Sequence, residues 1–471
     1  MRYNLPEAPN GGGTTGTLSL YVNGTKVQTL NLTSRYAYTY GAWPFSNDNP
    51  SGGTGHHFYD ESRISGLNIP AGATVKLQRD AADNAAFYKI DLIDLEQIDS
   101  AYSMPANFVS ITSQGAVAND GNDDTQAIIN TINYAKQMGM GVWIPAGTFN
   151  TNSVIHLDHV HVRGAGMWYT TISGSNGQGG FYADGGKVTL TDLTLISDSI
   201  FRNNCCDAAG IEGNFGTGSL VQNVWIEHMK VGVWLKPGTD GLYLVNGRIR
   251  DTWADGVNFH AGVINTTLSH FNVRNTGDDN LAMWSPEGQI NINNTFRFVT
   301  AQIPVLSNNF AIYGGQDNKI LDNIGSDNVR ASAGIALSTR NFESTTATFS
   351  GTTEVRRNTL NRTGGWEPNW NSSFGALWIY ADNKQITAPI IIDTLVLNNS
   401  IYEGILMSYN QLISNLTVNN VQINGAGTFG IDIRGVTGTG NFSNVTVTGA
   451  ASGGLSNSTY TIVRGSGNSG W

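Results

Sequence analysis

Residues 253–285 read WADGVNFHAGVINTTLSHFNVRNTGDDNLAMWS. Twice in this stretch an acidic turn runs into a short apolar strand. The first passage goes through Asp255 and Gly256 into Val257–His260, and the second through Asp279 and Asn280 into Leu281–Trp284. The two copies lie 24 residues apart. A period in the twenties marks a solenoid, in which each repeat is one supersecondary unit that buries its apolar face only against its neighbours.

Six more segments carry the pattern: VGVWLKP, NFAIYGG, AGIALST, FGALWIY, EGILMSY and FGIDIRG. Aligned on Gly232, Gly256, Asn280, Asn309, Gly334, Gly375, Gly404 and Gly430, they step by 24, 24, 29, 25, 41, 29 and 26 residues. The first and third residues after each anchor are Val233/Leu235, Val257/Phe259, Leu281/Met283, Phe310/Ile312, Ile335/Leu337, Ala376/Trp378, Ile405/Met407 and Ile431/Ile433. Side chains alternate across a strand, so this nearly all-apolar set forms stacked inward rows. The outward positions include Asn258, His260, Trp284, Tyr313, Ser338, Asp432 and Arg434. An all-β fold built on a parallel β-helix follows. The longest step contains TGGWEPNWNSSFG, and its Trp366 and Trp370 are expected to overhang the strand face.

Upstream, residues 1–103 read as a small β-sandwich and residues 104–471 as the β-helix. TLSLYVNGTKVQTLNLT alternates about Asn23-Gly24, a strong two-residue hairpin signal. This first segment resembles carbohydrate-binding modules in pattern, without a diagnostic motif; a packing role is the alternative. The pair His56-His57 has no third ligand at a suitable spacing and reads as a loop feature. One helix is expected near residues 124–138. Asp123 or Asp124 would cap it, Ile128, Ile129, Ile132 and Ala135 would form its apolar face, and Gly139 would end it.

Composition supports this reading. Gly makes up 57 of 471 residues, about 12% against a usual ~7%, as many tight turns require. The net charge of −10 argues against nucleic acid or an anionic membrane as partner. No run approaches the roughly 18 apolar residues of a membrane span. The N-terminus shows no signal-peptide succession, so secretion is expected only if a leader lies outside this sequence. Cys205 and Cys206 are adjacent, read as buried thiols with a vicinal disulfide as the alternative. A monomer is expected.

Equivalent positions on successive rungs stack about 4.8 Å apart. Asp255 and Asp279 are therefore neighbours on one edge of the outer face, and Asp278, in the turn after Gly277, can project into the same cleft. Carboxylates that close titrate together, with one pKa raised. Asn258, His260, Trp284 and Tyr313 supply hydroxyl-binding groups and aromatic faces suited to a sugar groove, which Trp366 and Trp370 could extend.

The passage FVSITSQGAVANDGNDDTQAIINTINYAKQMGMGVWIPAGTFNTNSVIHL resembles the opening of the pectate-lyase-like superfamily of right-handed parallel β-helix enzymes, where a short helix covers the end of the solenoid. An Asp followed by GDD one rung later resembles the inverting polysaccharide hydrolases. The fuller wording of residues 253–285 is similar to glycoside hydrolase family 87, the bacterial α-1,3-glucanases and mycodextranases. That resemblance implies an endo-acting, inverting hydrolase of α-1,3-glucan or nigeran. By the same resemblance, Asp278 is the general acid and Asp255 with Asp279 the water-activating pair. The basic run and Gly-His-Gly motif with which polygalacturonases hold uronates are missing. No cofactor is required by such a reaction, and a structural Ca²⁺ in Asp-rich turns is left open. The alternatives are a dextranase-like α-1,6-glucan hydrolase and a non-catalytic glycan-binding β-helix.

Overall fold

The computed structural model describes residues 1–6, 8, 13–37, 59–200, 202, 208–331, 333–367, 370–409 and 411–471. His56-His57 and Cys205-Cys206 lie outside the described residues. The chain divides into two compact units, the first comprising Met1–Ala101 and Asp198–Cys206 and the second Tyr102–Ser197 and Asp207–Trp471.

In the first unit Thr15–Val22 and Thr25–Thr33 pair antiparallel, with Val22 opposite Thr25. Asn23 and Gly24 turn the hairpin at φ 49° and 80°, the left-handed pair that a two-residue turn needs. Val75–Gln78 adds to the other edge of Thr15–Val22. Arg2–Asn4, Asp60–Glu61 and Lys89–Leu92 form a second three-stranded sheet. Tyr3, Leu5, Leu18, Leu20, Leu30 and Leu32 make the core between them.

The second unit is a parallel β-helix. One face is a 12-stranded sheet whose strands pair parallel in chain order, from Ile155–Leu157 to Gly453–Asn457. A 20-stranded sheet makes up the other faces. Val233, Val257, Leu281, Phe310 and Ile335 occupy one inward column, and Leu235, Phe259, Met283, Ile312 and Leu337 the next. All ten are fully buried. Each contributes roughly 1.5–3 kcal/mol by leaving water. The helix Thr125–Met138 buries Ile128, Ile132 and Ala135 in the same core as Val142, Phe149 and Ile155. It ends at Gly139, φ 64°, as expected.

One expected rung is displaced. Ile335 pairs with Leu377 and Leu337 with Ile379, so Ala376, not Gly375, is the anchor. Leu377 and Ile379 point inward, and Trp378 belongs to the outer face. The steps there become 42 and 28 residues. The Gly at 375 suggested the wrong origin because every earlier anchor is Gly or Asn.

At one corner of the coil Asn246, His270, Phe298, Asp322 and Arg357 stack on successive rungs, all with φ between 52° and 59°. A left-handed conformation disfavours Phe and Arg, so inter-rung pairing outweighs local preference there.

Close approach of backbones explains Gly256. A Cβ at that position would sit 2.5 Å from both the Asn280 carbonyl oxygen and Val273 Cγ1. Gly256→Ala is therefore expected to destabilise the β-helix by about 1–3 kcal/mol, read as a lower denaturant midpoint with an unchanged slope; an unaltered midpoint would show that the rung can spread at no cost.

Candidate active site

Two residues before the first inward residue of each rung lies one column of the outer face: Asp255, Asp279, Asn308 and Ala333. Each polar member bonds the rung that follows. Asp255 Oδ1 accepts from the Asp279 amide at 3.1 Å, Asp279 Oδ1 from the Asn308 amide at 2.7 Å, and Asn308 Oδ1 from the Ala333 amide at 2.9 Å. Their acidic and amide side chains thus complete hydrogen bonds that a regular ladder leaves open at a turn. The residues that close these turns are the same ones that gather the acidic side chains.

The remaining oxygens are also held. Asp255 Oδ2 accepts from Asn258 Nδ2 at 2.8 Å. Asn308 Nδ2 donates to Asp279 Oδ1 at 2.8 Å, and the Tyr313 hydroxyl donates to Asp279 Oδ2 at 3.1 Å. Asp278 is set by its backbone: its amide donates to the Ala254 carbonyl at 3.2 Å and its carbonyl accepts from Thr276 Oγ1 at 2.9 Å. It is the least buried of the three acids. Asp255, Asp278 and Asp279 each offer a carboxylate oxygen, all within 4.8 Å of one another. Such a cluster has the ligand chemistry of a hard divalent cation as well as of acid–base catalysis.

Burial, and then the charge of Asp278, push the Asp279 carboxyl up to about 7. The hydrogen bonds from Asn308 oppose this without overcoming it. Burial also raises the Tyr313 phenol, with the Asp279 charge adding to the effect, so Tyr313 stays a donor. Burial lowers the His260 imidazole, which keeps it neutral at neutral pH.

The other predicted groups fall into two sets. His260 stacks on Trp234 at 4.8 Å and meets Trp284 at 4.8 Å. Trp284 and Tyr313 are 8% and 5% exposed, so their faces are largely taken by protein. Trp284 Nε1 donates to Thr346 Oγ1 at 3.1 Å. Trp366 and Trp370 sit on or beside the hairpin formed by Gly365–Glu367 and Ser372–Phe374. Trp370 faces Arg340 at 4.2 Å and meets Trp378 at 6.4 Å. Trp366 instead meets Tyr402, at 6.0 Å. Trp378 stacks between Phe374 at 4.1 Å and Tyr380 at 3.7 Å.

Sequence reasoning missed Asn308 and Trp378. Counting back two residues from Phe310, as for the aspartates, finds Asn308. Trp378 was hidden by the one-residue error at Gly375.

Asp279 supplies a pH test. Its folded pKa lies above the ordinary Asp value of 3.8, so stability is fully present below that value and is lost as pH rises through about 7. Asp279→Asn is thus expected to raise Tm at pH 8 and to leave it near the parent's at pH 4. Equal Tm differences at the two pH values, measured by calorimetry, would remove the buried charge as the cause.

Residues 1–98 match the family described as α-1,3-glucanase catalytic domain D1, and residues 121–468 that described as α-1,3-glucanase catalytic domain D2. Among solved structures, the catalytic unit of a thermostable GH87 α-1,3-glucanase from Streptomyces thermodiastaticus strain HF3-3 is 34% identical, with a TM-score of 0.90. That match covers 100% of this chain and 86% of the other. The Agl-KA catalytic domain is 29% identical over 99% of this chain and 87% of its own, with a TM-score of 0.88. The catalytic domain of a GH87 α-1,3-glucanase in complex with nigerose is 28% identical over 99% and 88%, with a TM-score of 0.85. No curated protein matches the chain.

Proposed function

The chain belongs to the α-1,3-glucanases of glycoside hydrolase family 87, and from that membership we propose an endo-acting, inverting cleavage of α-1,3-glucan or nigeran by Asp255, Asp278 and Asp279. Its activity is hydrolysis of α-1,3-glucosidic bonds. Asp278 is the general acid and Asp255 with Asp279 the pair that activates water. Solved catalytic domains of one GH87 α-1,3-glucanase carry alanine at three aspartates in turn, two of them adjacent and the third 23 residues before the first of these. Asp255, Asp278 and Asp279 have that spacing.

The observation that carries the reading is the hold on the two buried carboxylates. Asp255 is fixed by the Asp279 amide and Asn258, and Asp279 by Asn308 and Tyr313. Groups anchored that way suit holding a water better than swinging onto a carbon. Oxygens within 4.8 Å can share one water through two hydrogen bonds of about 2.8 Å. In the reaction, the Asp278 proton passes to the glycosidic oxygen as the bond to C1 breaks. Water adds to C1 from the opposite face and gives its proton to the Asp255–Asp279 pair. The enzyme then holds as many protons as before.

Burial raises the Asp279 carboxyl, whereas its partial exposure suits Asp278 to reach the leaving oxygen.

Retention would instead need a carboxylate to attack C1 directly, and stereochemistry separates the two. Proton NMR of the first-formed sugar is expected to show the β anomer from α-1,3-glucan, and an initial α anomer decides for retention. Asp278→Asn is expected to lower kcat by at least about 10²-fold, the scale of a lost general acid, while binding to α-1,3-glucan persists. Turnover near the parental rate would take Asp278 out of the acid's role. A fall in average chain length before short oligosaccharides accumulate distinguishes endo action from attack at chain ends. Secretion is part of the same proposal, since an insoluble polymer is met outside the cell.

A further inference from the structure

We infer that Phe342, on a strapped loop beside the acid trio, is a sugar-stacking platform that sets affinity for the glucan chain; this rests on the α-1,3-glucan hydrolysis proposed above. The loop leaves the outer face after Ile335–Ser338 and returns at Phe349–Ser350. It is closed on itself by Thr346, whose hydroxyl donates to the Arg340 carbonyl at 2.6 Å and whose amide donates to Asn341 Oδ1 at 2.9 Å. The same hydroxyl accepts from Trp284 Nε1. The Glu287 amide bonds the Thr345 carbonyl at 2.9 Å, and the Ala347 amide bonds the Ser285 carbonyl at 2.8 Å. On the far side the Asn341 amide bonds Asn383 Oδ1 at 2.7 Å. Lys384 and Glu287 form an ion pair across the loop, worth at most about 1 kcal/mol at an exposed position. The buried Thr346 hydroxyl is therefore the stronger fastening.

So pinned, the loop sets the Phe342 and Tyr313 rings edge to face, with centroids 4.8 Å apart and planes at 76°, and the Arg340 guanidinium lies 5.8 Å from the Phe342 centroid. The Phe342 ring meets Trp284 at 5.8 Å and 81°. Tyr313 in turn donates to Asp279. The outer-face aromatics Trp284, Tyr313, Phe374, Trp378 and Tyr380 are buried against one another and form a small core of their own. Phe342 is 46% exposed. An aromatic ring that is both exposed and fixed loses little entropy on binding, and its face matches the apolar side of a pyranose. Packing on Tyr313 and Trp284 would need no such exposure.

The test compares Phe342→Ala, Phe342→Leu and Phe342→Trp on soluble α-1,3-gluco-oligosaccharides. Loss of one stacking contact predicts a KM raised about 3- to 10-fold for Ala and Leu, with kcat and the pH profile little changed, and recovery of KM with Trp. Leu keeps the apolar packing without the ring, so a Leu variant with parental KM reduces Phe342 to a packing role and overturns the inference. So does a kcat loss that Trp does not restore. Both outcomes leave α-1,3-glucan hydrolysis standing, since that fails only if the parent enzyme does not cleave α-1,3-glucan.

Discussion

The hydrogen bond from the Asp279 amide to the Asp255 carboxylate joins two rungs of the coil and two members of the acid trio at once. It exists because Val257 pairs in register with Leu281, and the turns before those strands superpose. A slip of one residue would send inward side chains outward and separate the acids. The same link recurs from Asp279 to Asn308 and from Asn308 to Ala333. The acid trio is thus mounted on the structural repeat, and the apolar columns that hold the register also hold the trio.

Mounting acids this way has an electrostatic consequence. Each inter-rung bond draws a carboxylate against the wall, where water is excluded. Asp279 suffers most, being enclosed by Asn308, Tyr313 and its neighbour Asp278, and its carboxyl rises to about 7. Asp278 is the less buried of the adjacent pair, and its backbone amide and carbonyl both bond within the turn. One turn tripeptide therefore yields two carboxyl groups in unlike surroundings, Asp279 buried and Asp278 partly exposed. Burying the Asp279 carboxyl costs folding stability above neutral pH.

Much of this was legible in the residues. The repeat interval, the inward columns from Val233 to Leu337 and the equivalence of Asp255 and Asp279 follow from alternation and spacing. The hairpin at Asn23-Gly24 and the helix closed by Gly139 follow from turn and cap chemistry. Reading failed where the repeat is interrupted. At Gly375 a loop insertion shifted the origin by one residue and placed Trp378 inside. Trp284 and Tyr313 read as sugar-facing rings, but neighbouring aromatics cover most of their surface. That cover includes Phe342 and Thr346, the latter 62 positions from Trp284, and no local pattern encodes it.

What the sequence by itself determined is the coil and the residue types of its acid edge, since strand alternation and rung spacing are local, periodic properties. The tertiary structure decided which oxygen each acid spends on the neighbouring rung, which carboxyl is desolvated, and which aromatic ring is left facing solvent. Those outcomes depend on insertions of unequal length folding back over the outer face, and the fold of an insertion is set by its partners rather than by its own period.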